Sequence, residues 1–148
     1  MSANKKYTIS LVLFMAAIAI LSLIPIDTIE AKIKHKFNAL VLLKLNIENV
    51  LKIPIDLSLI QSVLHFPFYA LLASLWMGFF NRRRIELRKA ALYTLGITFF
   101  LSLSLEFLQL FLAERNASFT DLLLNLSGSL SGMYIYWLMD RTGHLENI

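Results

Sequence analysis

Residues 106–132 read EFLQLFLAERNASFTDLLLNLSGSLSG, and the fold is decided by how this stretch is read. Two apolar runs meet at a short polar turn, Ala113 to Thr120. Glu106 and Gln109 interrupt the first run; Asp121 and Asn125 interrupt the second. Ionisable side chains in a lipid-spanning helix are expensive, so they turn toward a protein interior or a water-filled cavity and are functional candidates by default. Asp121, Asn125, Gly128 and Gly132 follow at steps of four, three and four, which places them on one helix face. Ser102, Glu106 and Gln109 make a second stripe before the turn. The pattern predicts a helical hairpin with both stripes facing a shared interior. Gly128 and Gly132 would admit another backbone at close range. Arg115 and Ser118 fall in the turn, where a guanidinium can pair with Glu106 or Asp121 or take an anionic group from outside.

The rest of the composition agrees. Of 148 residues, 57% are hydrophobic and only 16% charged, where a soluble domain has about a quarter charged. The apolar residues lie in long runs, so the chain reads as an all-α integral membrane protein, a single domain over 1–148. Without cysteine it can have no disulfide, thiolate zinc site or cysteine nucleophile. A net charge of +4 raises the thought of nucleic acid, but topology accounts better for the basic residues.

Four spans are predicted, at about 7–26, 57–80, 90–112 and 119–139. The first begins with Lys5 and Lys6 like a signal peptide, yet it is long and lacks a small-x-small cleavage site, so it reads as an uncleaved helix. Between Asp27 and Asp56 lies the longest polar connection. Its apolar stretch Ala39 to Leu45 is too short to span and reads as an interfacial helix in the first external loop, or else as part of a lid. The second span holds Gln61, Ser62, His65, Pro67 and Tyr69, with His65 and Tyr69 one turn apart and Pro67 bending the helix beside them. A lone helical histidine is more often a packed residue than a ligand or base. Asn81 to Lys89, NRRRIELRK, is a basic loop between spans and marks the cytoplasmic side. An even number of spans then puts both termini in the cytoplasm.

Glu106, Gln109, Arg115, Asp121, Asn125, Gly128 and Gly132 stand in the register of a motif in the VanZ-like family of small membrane proteins, which this stretch resembles. His65, Phe66 and Tyr69 match a second family element, His-Phe-x-x-Tyr, although Gln61 and Ser62 replace the Asp-Lys pair that precedes it there. Ala113 and Glu114 stand where the family often has Pro-Gly. Spans two to four carry the resemblance, and the first span adds little to it. The resemblance implies a bacterial cell-envelope role associated with resistance to teicoplanin-type glycopeptides.

Spacing and topology together bring His65, Glu106 and Asn125 to one level in the outer leaflet, with Asp121 and Gln109 shallower. The expectation is a polar pocket open to the outside, comprising His65, Tyr69, Glu106, Gln109, Arg115, Asp121 and Asn125, with Gly128 and Gly132 as packing positions. Three readings follow. The pocket binds an anionic lipid or precursor head group, with Arg115 as the anion contact. Alternatively, His65, Glu106 and Asp121 act as acid, base or metal ligands in an intramembrane enzyme, although HExxH and Gly-x-Ser-x-Gly motifs are absent. Or the polar set only ties the hairpin together. No cofactor or resident metal is called for by any motif. Expected partners are a membrane lipid or envelope precursor and a further copy of the chain, not nucleic acid.

Overall fold

The computed structural model describes residues 3–23, 57–112 and 118–142. These contain four α-helices: α1 Ala3–Leu23, α2 Leu57–Arg82, α3 Leu87–Gln109 and α4 Phe119–Arg141. The predicted surface helix or lid in 27–56 and the turn position Arg115 lie outside the described residues. Three helices contain segments long and apolar enough to cross a membrane: Lys5–Leu23, Ser62–Arg82 and Leu87–Gln109. The fourth, at 23 residues, has the length but is less apolar, because it carries Asp121, Asn125 and a run of serines and glycines.

Two boundaries differ informatively from the expected spans. Helix α3 begins at Leu87, with extended Glu86 as its N-cap, so Arg88 and Lys89 form its first turn instead of preceding it. Their long stems can lie along the helix while the charges reach the interface. At the other end, α3 stops at Gln109 rather than near Leu112. Leu110, Phe111 and Leu112 continue as tighter turns, each N–H donating to the carbonyl three residues back at 3.1–3.2 Å. Glu106 is therefore less than one turn from its helix end, about 5 Å at 1.5 Å per residue, and shallower than the spacing of a longer span implies.

Contacts fix the helix directions. Tyr7 on α1 donates to the Leu75 carbonyl on α2 at 2.7 Å, and Arg82 stacks over the Tyr7 ring. Asn81 near the end of α2 donates to Tyr136 near the end of α4 at 2.9 Å. Helices α2 and α4 thus run parallel, while α1 and α3 run opposite to them. The start of α1, the turn Arg83–Glu86 and the end of α4 share one end of the bundle. The end of α3 and the start of α4 share the other.

The interior combines apolar clusters, around Leu11 and Leu72 and around Met77 and Phe80, with a polar stripe, while large apolar side chains also cover the outside. Leu92, Phe100, Phe119 and Leu130 project outward, while α3 buries Thr94, Thr98, Ser102, Glu106 and Gln109 along a single stripe. Lipid is as apolar as leucine, so packing and interhelical hydrogen bonds hold such helices together. The most extensive contact is between α2 and α4. An ideal Cβ on Gly132 would collide with the Ala70 backbone, and one on Gly128 with that of Phe66. Ser74 locks the crossing by donating to the carbonyls of both Ala70 (3.0 Å) and Gly132 (2.9 Å). The glycine face expected to line the α3–α4 hairpin is thus spent on α2. Helical periodicity identifies a face but not the element that covers it.

Candidate functional site

At the end of the bundle opposite the basic turn, polar residues of three helices converge. His65 from α2 meets Asn125 from α4, Nδ1 to Oδ1, at 3.1 Å. Asn125 Nδ2 donates to Ser102 Oγ on α3 at 2.7 Å. With its amide nitrogen committed to Ser102, Asn125 presents its oxygen to the imidazole, so His65 carries a proton on Nδ1. Asn125 is 2% exposed and His65 6%, so this relay is withdrawn from lipid and water.

The two carboxyl groups arrive by a different route. Ser118 is the N-cap of α4, and its hydroxyl accepts from the Asp121 N–H at 3.3 Å. In a capping box the residue at the position of Asp121 would reach back to the N-cap N–H. Here Glu106 Oε2 from α3 accepts from that Ser118 N–H at 2.8 Å. The positive end of the helix dipole also favours a carboxylate there. Asp121 is thereby relieved of its local partner. It is 94% buried by its 6% exposure, and among the described residues its Oδ1 has no hydrogen-bond partner.

His65, Glu106 and Asp121 each bring one nitrogen or oxygen to within 4.8 Å of the other two. Two carboxylates at that separation would repel by roughly 3 kcal/mol at an effective dielectric near 20. Tyr69, fully enclosed, stacks near His65 with ring centroids 6.5 Å apart. Its hydroxyl satisfies hydrogen-bond geometry with no described residue, although Ser102 and Glu106 lie close to it.

Of the residues singled out in the sequence, His65, Tyr69, Glu106, Asp121 and Asn125 come together, and Gly128 and Gly132 continue the same face of α4. Gln109 is buried on the same α3 stripe but reaches toward α1, donating from Nε2 to the Ser22 carbonyl at 3.0 Å, and its Oε1 is unpartnered among the described residues. The side chains of the cluster are buried. A shallow apolar groove between α1 and α3, lined by Met15, Phe80, Leu92, Tyr93 and Gly96, contains none of these residues. Sequence reading did not find Thr94, Thr98, Ser129 or Ser22. The threonines continue the Ser102–Glu106 stripe toward the basic end at steps of four, a signal that was available. Ser22 contributes only a backbone carbonyl, which no side-chain pattern reveals.

The sequence profile of the VanZ/LLP1 family matches residues 2–140. The chain belongs to this family. The match includes the first helix, so the VanZ/LLP1 unit is broader than the motifs of spans two to four, and the Gln109–Ser22 bond gives α1 a structural connection to the site stripe. No curated protein and no solved structure matches the chain.

Proposed function

We propose that this VanZ/LLP1 protein is a four-span component of the bacterial cell membrane that receives the polar, anionic head group of an envelope lipid or lipid-linked precursor at the His65–Glu106–Asp121 cluster, and that this underlies a contribution to teicoplanin-type glycopeptide resistance. The observation that carries the reading is the convergence itself. Three helices bring His65, Glu106 and Asp121 within 4.8 Å of one another, and Asp121 Oδ1 is left without a described partner. A set whose sole task was to tie helices together would be expected to satisfy its own members.

The fourth span is supported by the faces of α4. Its polar residues Asp121, Asn125 and Ser129 are buried, while Phe119, Leu123, Leu130 and Ile135 are exposed as lipid-facing residues would be. Cytoplasmic termini are supported by the shared end of α1, α4 and the basic turn. In that orientation the cluster faces the outer leaflet, and Arg115, three residues before Ser118 in the sequence, is the residue type suited to a phosphate or carboxylate in two-point contact.

A second reading has its own observation. An imidazole pinned at Nδ1, with two carboxyl groups nearby, is arranged as a general acid–base on an enzyme acting on the same lipid. The test is native mass spectrometry of the purified protein incubated with envelope lipid extract. Head-group retention is expected in the unaltered chain and lost in Asp121→Asn and Arg115→Lys, with growth protection against teicoplanin lost in parallel. A new lipid product made by the unaltered protein alone would favour the enzyme. Equal retention by all three proteins would sink the binding site.

A further inference from the structure

We infer that the apolar groove between α1 and α3 is the seat of an anionic phospholipid, with one acyl chain along the groove and the head-group phosphate on Arg88 and Lys89 at its mouth. The site lies toward the basic end of the bundle, away from the His65–Glu106–Asp121 cluster, and does not depend on the function proposed for that cluster. Its walls come from α1, α2 and α3, the three helices with segments long and apolar enough to cross a membrane. A lipid chain therefore reaches the groove sideways, from within the bilayer.

Helix α3 builds the groove and its mouth with one repeat. Leu92, Gly96, Phe100 and Ser104 follow along the groove at steps of four, and the same step back from Leu92 is Arg88. One such step back from Tyr93, also in the groove wall, is Lys89. Both cations thus stand in the first turn of α3, in line with the groove, and both are exposed. Among the described residues Arg88 meets no carboxylate, and Lys89 has Glu86 at 3.6 Å in an exposed pair of the kind that contributes little and exchanges readily. Phe80 of α2 and Tyr93, with ring centroids 5.6 Å apart, floor the groove one turn in from Lys89. Its length also fits. From Leu92 to Ser104 the helix rises about 18 Å, against about 15 Å for the hydrocarbon of one leaflet.

Gly96 is an independent observation. Glycine weakens a helix interior and is useful there where something must approach the backbone closely. Gly128 and Gly132 meet that need against α2, whereas a Cβ on Gly96 would have nothing within 4 Å. Its missing side chain leaves room in the middle of the groove that no described part of the chain fills. Charge decides the occupant. Residues 82–89 hold Arg82, Arg83, Arg84, Arg88 and Lys89 against Glu86 alone. A second copy docked by the same face about a twofold axis along the bilayer normal would set two such basic groups against each other. An anionic head group neutralises one of them, and each Lys or Arg near the membrane surface strengthens its binding about five-fold.

The experiment titrates the full-length protein, in detergent and stripped of endogenous lipid, with phosphatidylglycerol and with phosphatidylcholine, and reads binding by native mass spectrometry. Phosphatidylglycerol is expected to bind at least ~10-fold tighter than phosphatidylcholine. Replacing both cations, Arg88→Gln with Lys89→Gln, should weaken phosphatidylglycerol about 25-fold and phosphatidylcholine much less. Gly96→Leu, whose added Cβ meets no described atom, fills the groove and should weaken both lipids. Arg141→Gln removes a cation from the same end of the bundle but on α4, where it stacks over Trp137, and should bind like the unaltered protein. The same shifts should recur in an Asp121→Asn background; shifts that vanish there would belong to the cluster and overturn this site. Equal affinity of the unaltered protein for the two lipids, undiminished binding by Gly96→Leu, or a loss in Arg141→Gln as large as in the double variant would each overturn it. So would efficient cross-linking of Gly96→Cys between chains in membranes, which would give the groove to a second copy.

Discussion

Replacing Gly132 with alanine adds a single carbon at the closest approach of two helices. Built in place, that carbon lies 2.7 Å from the Ala70 carbonyl carbon and 2.8 Å from the Ala70 Cα, with the carbonyl oxygen closer still. Comfortable carbon–carbon contact is about 3.5–4.0 Å, so the backbones must part by roughly an ångström. All three colliding atoms are main-chain atoms, which cannot swing aside as a side chain would. Overpacking of this kind costs about 1–3 kcal/mol. Separation also strains the Ser74–Gly132 bond, where interhelical polar contacts in membranes average about 0.6 kcal/mol. Alanine gains up to about 1 kcal/mol in helix propensity over glycine. The net expectation is a loss of about 1–3 kcal/mol. Gly96 provides the internal control, because nothing lies within 4 Å of its added carbon. Gly96→Ala should therefore be neutral or stabilise by up to about 1 kcal/mol. Reversible unfolding of the two variants in mixed detergent, followed by circular dichroism, measures both. Equal stability of Gly132→Ala and Gly96→Ala would refute the tight α2–α4 crossing.

The orientation can be checked with single cysteines, which stand alone because the chain has none of its own. In intact cells an impermeant thiol reagent should label Lys44→Cys and spare Arg84→Cys; the opposite pattern would invert the topology.

The polar residues that converge in the candidate site were legible because membranes penalise polarity. Glu106, Asp121 and Asn125 stand out against leucine and phenylalanine in a way they would not in a soluble helix, and their spacing places them on inward faces. The depth of His65 and Asn125 in their spans, counted from residue number, brings them together, and they are joined by a hydrogen bond. What remained hidden is partner identity and local stops. Nothing in the order of residues says that Gly128 and Gly132 pack on α2 rather than α3. Leu110 to Leu112 carry no helix-breaking residue, so the end of α3 at Gln109 left no mark in the pattern. Thr94 and Thr98 are too ordinary in a spanning helix to be noticed singly. They matter as the continuation of a buried stripe whose other end is Glu106.

Glu106 joins the structural and the chemical halves of the site, and two substitutions can part them. Its Oε2 caps α4 through the Ser118 N–H, and one of its carboxylate oxygens lies within 4.8 Å of a ring nitrogen of His65 and a carboxylate oxygen of Asp121. Glu106→Gln keeps an oxygen able to accept from that N–H but removes the negative charge. Losing a charged acceptor for a neutral one costs on the order of 1 kcal/mol, partly recovered because repulsion with Asp121 is relieved. Glu106→Ala removes the acceptor altogether and leaves the Ser118 N–H for Asp121 to reclaim as an ordinary capping box. That rearrangement would draw Asp121 away from His65. Glu106→Gln should thus stay within about 1 kcal/mol of the unaltered protein yet lose head-group retention, while Glu106→Ala should lose about 1–2 kcal/mol as well. Unfolding and lipid retention measured on both variants decide the matter. A glutamine variant as unstable as the alanine one would mean that the charge itself holds the helix end, and the cluster would then be a fold-stabilising network whose chemistry is incidental.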